Sequence, residues 1–167
     1  MSTSARLVPR PLPPGDAALP AMLALMRAAF AGMEGRIDPP SSLGRMDLPD
    51  LARAAEAGEL WALGDPPLAA MLLTPQPGAL YLGKLAVDPG RLRQGLARRM
   101  VDHAAARAAA LGRPVLRLQT RVELTENHAT FTALGFTEVA RTAHPGYDRP
   151  TSITFERPTR RPDTQTI

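Results

Sequence analysis

A chain of 167 residues, 44% apolar and 22% charged, has the length of one domain and enough apolar surface for a core, which excludes wholesale disorder. It has no cysteine, no run of the ~18 apolar residues that span a bilayer and no signal-like start, so disulfides, thiolate chemistry, cysteine-held zinc and a membrane partner are set aside and the cytoplasm is the expected location. Residues 1–83 carry 6 basic against 8 acidic side chains and residues 84–167 carry 14 against 8, all of the basic ones arginine except Lys84, so the positive field lies in the second half and fits an anionic partner there.

Residues 5–9 read as a short edge strand, ended by the proline-rich stretch 9–14. Asp16 is placed to cap a helix that runs to about Phe30, with Pro20 in its first turn. Gly32, Gly35 and the Pro/Ser-rich stretch 37–45 read as loop. Asp47 then caps a second helix, Leu48–Ala57, which Gly58 ends. Three short apolar runs follow, Glu59–Leu63, Leu68–Thr74 and Ala79–Val87. The turns between them, Gly64-Asp65-Pro66 and Pro75-Gln76-Pro77-Gly78, are short enough to force an antiparallel meander. Trp61 and Tyr81 on these strands read as core or wall.

Gly95 to Leu111 carries Leu96, Met100, Ala104, Ala108 and Leu111 at helical spacing, with Gly112 as the cap. His103 on this helix reads as exposed. Val115–Thr120 is a strand, so strand, helix and strand imply a crossover to a parallel neighbour. A helix from about Thr125 to Leu134 and two strands, Phe136–Arg141 and Ser152–Arg157, complete the pattern. The ordered core is expected over about residues 5–157, and residues 158–167 read as a frayed tail.

The segment 85–99 joins a strand end to a helix that starts at a glycine. The first amides of such a helix lack partners in the chain and its dipole is positive there. Arg91, Arg93, Arg98 and Arg99 surround the same point, so a pyrophosphate-sized anion site fits. No Gly-Lys-Ser/Thr follows, which excludes a P-loop, and the three spaced glycines of a dinucleotide fingerprint are missing.

These residues resemble the GNAT superfamily of acyl-CoA-dependent N-acyltransferases. Leu85-Ala86-Val87-Asp88-Pro89 followed by Arg93-Gln94-Gly95-Leu96-Ala97 is similar to its cofactor motif, Gln/Arg-x-x-Gly-x-Gly/Ala. Asn127-His128, Phe131 and Leu134-Gly135-Phe136 are similar to its downstream signature, and the element order matches. The resemblance implies an α/β (α+β) single domain with a mixed, mostly antiparallel sheet, one splayed strand pair and helices on both faces. It implies acetyl-CoA as co-substrate, held by Leu85, Ala86, Val87, Arg93, Gln94, Gly95, Leu96, Ala97, Arg98, Asn127 and Phe131, with no metal. It further implies direct acetyl transfer to the primary amine of a small molecule, and a homodimer as one assembly state. Two positions depart from the pattern. Leu92 stands where the motif has Gln or Arg, and Phe131 stands where many relatives carry the tyrosine that protonates the leaving thiolate.

On the acceptor side, Glu123 or His128 is placed to draw a proton from the incoming ammonium. The turn-rich stretch 144–150 carries Tyr147, a candidate for the missing acid, and His144 and Arg149, which with Arg121 are candidates for binding the substrate. A non-catalytic coenzyme A-binding regulatory domain is the alternative that Phe131 permits. Nucleic acid is not expected, because at 4% aromatic residues the chain lacks a basic stripe interleaved with exposed rings.

Overall fold

The computed structural model describes residues 7–159. In chain order it contains β1 (Arg10–Leu12), α1 (Leu19–Phe30), α2 (Leu48–Ala57), β2 (Glu59–Leu63), β3 (Ala69–Gln76), β4 (Ala79–Val87), α3 (Leu96–Ala110), β5 (Val115–Arg121), α4 (Thr125–Ala133), β6 (Thr137–Thr142) and β7 (Ser152–Pro158). The seven strands form one sheet in the order β1-β2-β3-β4-β5-β7-β6. Every neighbouring pair is antiparallel except β4 and β5, which are parallel and joined through α3. The expected mixed, mostly antiparallel sheet is therefore present.

Local chemistry explains most element boundaries. Asp47 and Asp50 form a reciprocal capping box on α2, with each carboxylate accepting the other's backbone N–H at 2.9 and 3.0 Å. Gly58 lets α2 drop straight into β2, because a Cβ there would stand 2.4 Å from the Leu73 carbonyl oxygen. Asp16 acts earlier than expected. Its carboxylate accepts the Ala18 N–H at 2.8 Å in a turn ahead of the helix, and α1 starts at Leu19.

β1 and β3 differ most from the expected bounds, and β5, β6 and β7 are shifted or extended by a single residue. β1 lies at Arg10–Leu12, after the predicted 5–9, because Leu12 reaches the core (3% exposed) while Val8 stays in solvent (67%). Pro11 is accepted there because β1 is an edge strand. Residues 5 and 6 of that prediction lie outside the described residues. β3 runs on through Pro75 to Gln76, since β2 stops opposite Leu73 and no β2 partner needs the missing N–H. At the other end β7 reaches Pro158, and the Thr159 hydroxyl donates to the Arg113 carbonyl oxygen at 2.7 Å. The rest of the predicted tail, residues 160–167, lies outside the described residues.

The core has two layers. On one face α3 packs Met100, Val101, Ala104 and Ala108 onto Met71, Leu80, Leu116 and Phe155. On the other, Met22, Leu23 and Met26 of α1 and Leu51 of α2 meet Leu60, Ala62, Ala70 and Ala86. The small sheet alanines on that face let α1 sit close to the strands. His103, expected to be exposed, instead has its ring 4.1 Å from that of Trp61 in an edge-on contact, with Nε2 buried and unpartnered. The reason is that the Trp61 indole reaches across from β2 to α3, and Arg107, which lies over the same indole, completes the cover.

Candidate active site

The site begins with an irregularity in β4. Ala70 pairs with Ala86 and Leu72 with Gly83, so Met71 alone faces both Lys84 and Leu85 across the ladder. This is a β-bulge, and Lys84 takes a left-handed conformation to form it, at φ +52°. A bulge bends its strand. β4 pairs with β5 only from Ala79 to Tyr81 and then leaves it, while β5 stays with β7 along its full length. The two parallel strands thus open into a V.

A cavity of about 290 Å³ fills the V. Its strand walls include Tyr81, Gly83, Lys84 and Leu85 on one side and Leu118, Gln119, Thr120 and Arg121 on the other. Phe30, Met33, Ser41, Ser42 and Leu43 close it from the α1–α2 connection, and Asn127, Phe131, His144 and Ser152 close it from the far end of the sheet. Tyr81 lays its ring across Gly83, where an added Cβ would come 3.3 Å from the ring. Burial pushes the Tyr81 phenol up from its ordinary value, partly opposed by a backbone hydrogen bond from Gln119. Burial likewise pulls the Lys84 ammonium down.

The other feature is the start of α3. Gly95 and Arg93 both have positive φ, +78° and +66°, on either side of Gln94. Such turns gather successive N–H groups into a concave surface suited to anions. No acidic residue lies in the first turn, Leu96 anchors it in the core, and Arg91, Arg93, Gln94 and Arg98 are exposed around it. Space at Gly95 is open, with nothing within 4 Å of a Cβ. An anion of pyrophosphate size fits these residues.

The structure separates the residues singled out from the sequence into four places. Leu85, Asn127, Phe131, Arg121 and His144 line the cavity. Asn127 Nδ2 donates to Thr120 Oγ1 at 3.3 Å, and the Phe131 ring packs on Phe136 and Phe155 at 5.9 and 6.2 Å. Arg93, Gln94, Gly95, Leu96, Ala97 and Arg98 make the helix start, while Ala86 and Val87 pack into the two core layers. Glu123, His128, Tyr147 and Arg149 stand outside the cavity wall.

The last four have partners of their own or none. His128 Nε2 lies 3.0 Å from the Arg121 carbonyl oxygen and donates to it. Glu123 Oε1 is buried without a hydrogen-bond partner, and its Oε2 is 4.0 Å from Arg149. Tyr147 donates to Asp38 Oδ1 at 2.5 Å and Arg149 to Asp38 Oδ2 at 3.2 Å, and the Asp38 contact pushes the Tyr147 phenol up. Arg121 donates to the Pro39 and Pro40 carbonyl oxygens, and Arg36 forms a two-pronged pair with Glu126 at 2.6 and 2.8 Å. The connection 31–47 is thus tied down from three directions beside the cavity.

Sequence reasoning passed over Lys84 and Gln119 as lining residues, and Asp38 as the anchor of the β6–β7 connection. A lysine that is alone among 19 arginines is the one signal that pointed at Lys84. Among the described residues no three His, Asp or Glu side chains gather as metal ligands, and no helix is long and apolar enough to cross a membrane.

Comparison with known proteins gives the same architecture repeatedly. The ribosomal-protein-S18-alanine N-acetyltransferase of Escherichia coli is 22% identical, with 96% of this chain and 98% of that one covered at a TM-score of 0.69. A spermidine N-acetyltransferase chimera from Vibrio cholerae is 17% identical, covering 92% and 95% at 0.67. A Bacillus subtilis acetyltransferase in complex with CoA is 14% identical, covering 91% and 98% at 0.63. No curated protein is matched. The family model for acetyltransferases of the GNAT type matches residues 24–136. That stretch runs from within α1 to the threshold of β6 and takes in both the bulged strand and the helix start, and by this match the chain belongs to the acetyltransferase (GNAT) family.

Proposed function

We propose that the chain transfers an acetyl group from acetyl-CoA directly to the primary amine of a small molecule. The observation that carries this reading is the parting of β4 from β5 beside a helix start ringed by arginines and free of acids. A cavity of about 290 Å³ suits a metabolite-sized acceptor.

Acetyl-CoA supplies the acyl group as an activated thioester, and the remaining work falls to the chain. The first amides of α3 bind the pyrophosphate, with Arg91, Arg93 and Arg98 adding charge. Main-chain groups of β4 past the bulge have lost their β5 partner. They hold the pantetheine arm and give the thioester oxygen an N–H as negative charge develops on it. The acceptor nitrogen forms its bond to the acyl carbon as the carbon–sulfur bond breaks. The ammonium proton leaves through water to Glu123 or His128, both just outside the wall. Phe131 has no proton to give. The phenol in the wall is Tyr81, which burial keeps protonated, and it or water meets the departing thiolate.

The test is thiol release by the purified protein given acetyl-CoA and a panel of amines, with the acetylated product identified by mass. Release that depends on an amine supports transfer. Tight CoA binding with no release from any amine favours the second reading, a non-catalytic CoA-binding regulatory domain, which Phe131 in the wall permits.

A further inference from the structure

The cavity wall holds two basic side chains, Lys84 and Arg121, and not one aspartate or glutamate. Neither charge is neutralised. Among the described residues Lys84 has no hydrogen bond or ion pair, and Arg121 spends its donors on the neutral carbonyls of Pro39 and Pro40. A half-buried ammonium without a partner in the chain carries a cost, and Lys84 stands on a bulge that itself requires an unfavourable left-handed backbone. Both costs are met at one residue, the single lysine of the sequence, inside the cavity.

We infer that the acceptor is an amine that also carries an anionic group, a carboxylate or phosphate, and that Lys84 is the residue that binds this group. The inference rests on the acetyl-transfer reading and narrows its substrate class. An acceptor that is only cationic meets repulsion from both walls and finds no carboxylate to receive it. An acceptor with an anionic end neutralises Lys84 and turns its amine toward the thioester. The remaining positive field of Arg121 disfavours the ammonium form of that amine, so the nucleophile arrives with its lone pair free. The wall therefore substitutes in part for a carboxylate base.

The experiment uses matched pairs: phenylalanine against phenylalaninamide, and phosphoethanolamine against ethanolamine. kcat/KM with acetyl-CoA is measured for wild type and for Lys84→Met, which keeps an unbranched side chain one atom shorter, removes the charge and makes the same backbone demand. The expected result is at least a tenfold preference for the anionic member of one pair, collapsing to near unity in Lys84→Met while CoA affinity stays unchanged. Which pair responds tells carboxylate from phosphate. Equal or greater turnover of the uncharged-end amines by wild type overturns the inference and leaves acetyl transfer standing. Weaker CoA binding in Lys84→Met with the preference intact also overturns it, since Lys84 then serves the cofactor. Should no amine turn over, calorimetry of the anionic members in the presence of CoA decides. Binding lost in Lys84→Met upholds the anion site while transfer itself fails, and no binding by wild type rejects the site.

Discussion

At the position before α3, a glycine at φ +78° does more than leave room. A Cβ there meets no atom within 4 Å, so the demand for glycine is in the backbone: a side chain strains the left-handed turn that sets the first amides of the helix. Gly95→Val should weaken CoA at least tenfold, about 1.4 kcal/mol, in calorimetry. Gly95→Asn, a residue that tolerates this conformation better, should lose less. Phe131 poses the opposite case. Its ring is clamped between Phe136 and Phe155 and also lines the cavity. Phe131→Tyr should keep turnover and raise kcat/KM on the acid side of the pH profile, where a protonated leaving group helps most. A large loss of turnover in a folded protein would make Phe131 a packing surface that cannot accept a hydroxyl.

The connection 31–47 and the β6–β7 connection act as one element, because Asp38 holds both Tyr147 and Arg149. Asp38 and Arg149 are roughly half exposed, so their ion pair contributes little to stability. Its effect is on position. Asp38→Ala and Arg149→Ala should each raise the acceptor KM several-fold with CoA affinity and Tm nearly unchanged. The double variant should be hardly worse than Asp38→Ala alone, since losing Asp38 already removes the Arg149 contact along with that of Tyr147. Nearby, Arg36 holds the Glu126 carboxyl at about 2. A carboxyl held low favours the folded arrangement above its unfolded value and loses that effect only as pH falls toward 2, so this tie stays intact across the working range.

The molecule as a whole was legible wherever a local rule coincided with burial. The meander, the α2 capping box and the helix start at Gly95 are each specified by a few adjacent residues, and the boundaries of α2, β2 and β4 follow from them. The bulge at Lys84 was not legible, because it depends on register between β3 and β4, and no residue type announces it. Asp38 was hidden for a similar reason: it meets residues more than a hundred positions away. His103 was misread because its environment comes from Trp61 and Glu59 on another element. Burial, then the nearby Arg107, lowers His103 from its ordinary 6.5, with Glu59 opposing. The unfolded chain therefore takes up this proton more readily than the folded one, and stability falls as pH drops below about 6.5. Tm should decline more between pH 7 and pH 5 in wild type than in His103→Phe, and parallel slopes would mean that the ring is charged at no cost.

An enzyme with one lysine, placed in the wall of the cavity where β4 and β5 part, carries a built-in reporter. Protein grown on lysine labelled with nitrogen-15 at the side chain gives a single ammonium resonance, free of overlap and already assigned. Its shift and exchange rate follow the charge and hydration of the cavity alone. Titration with an acceptor then reads out the arrival of each chemical group at that atom, without an activity assay and without altering a single residue.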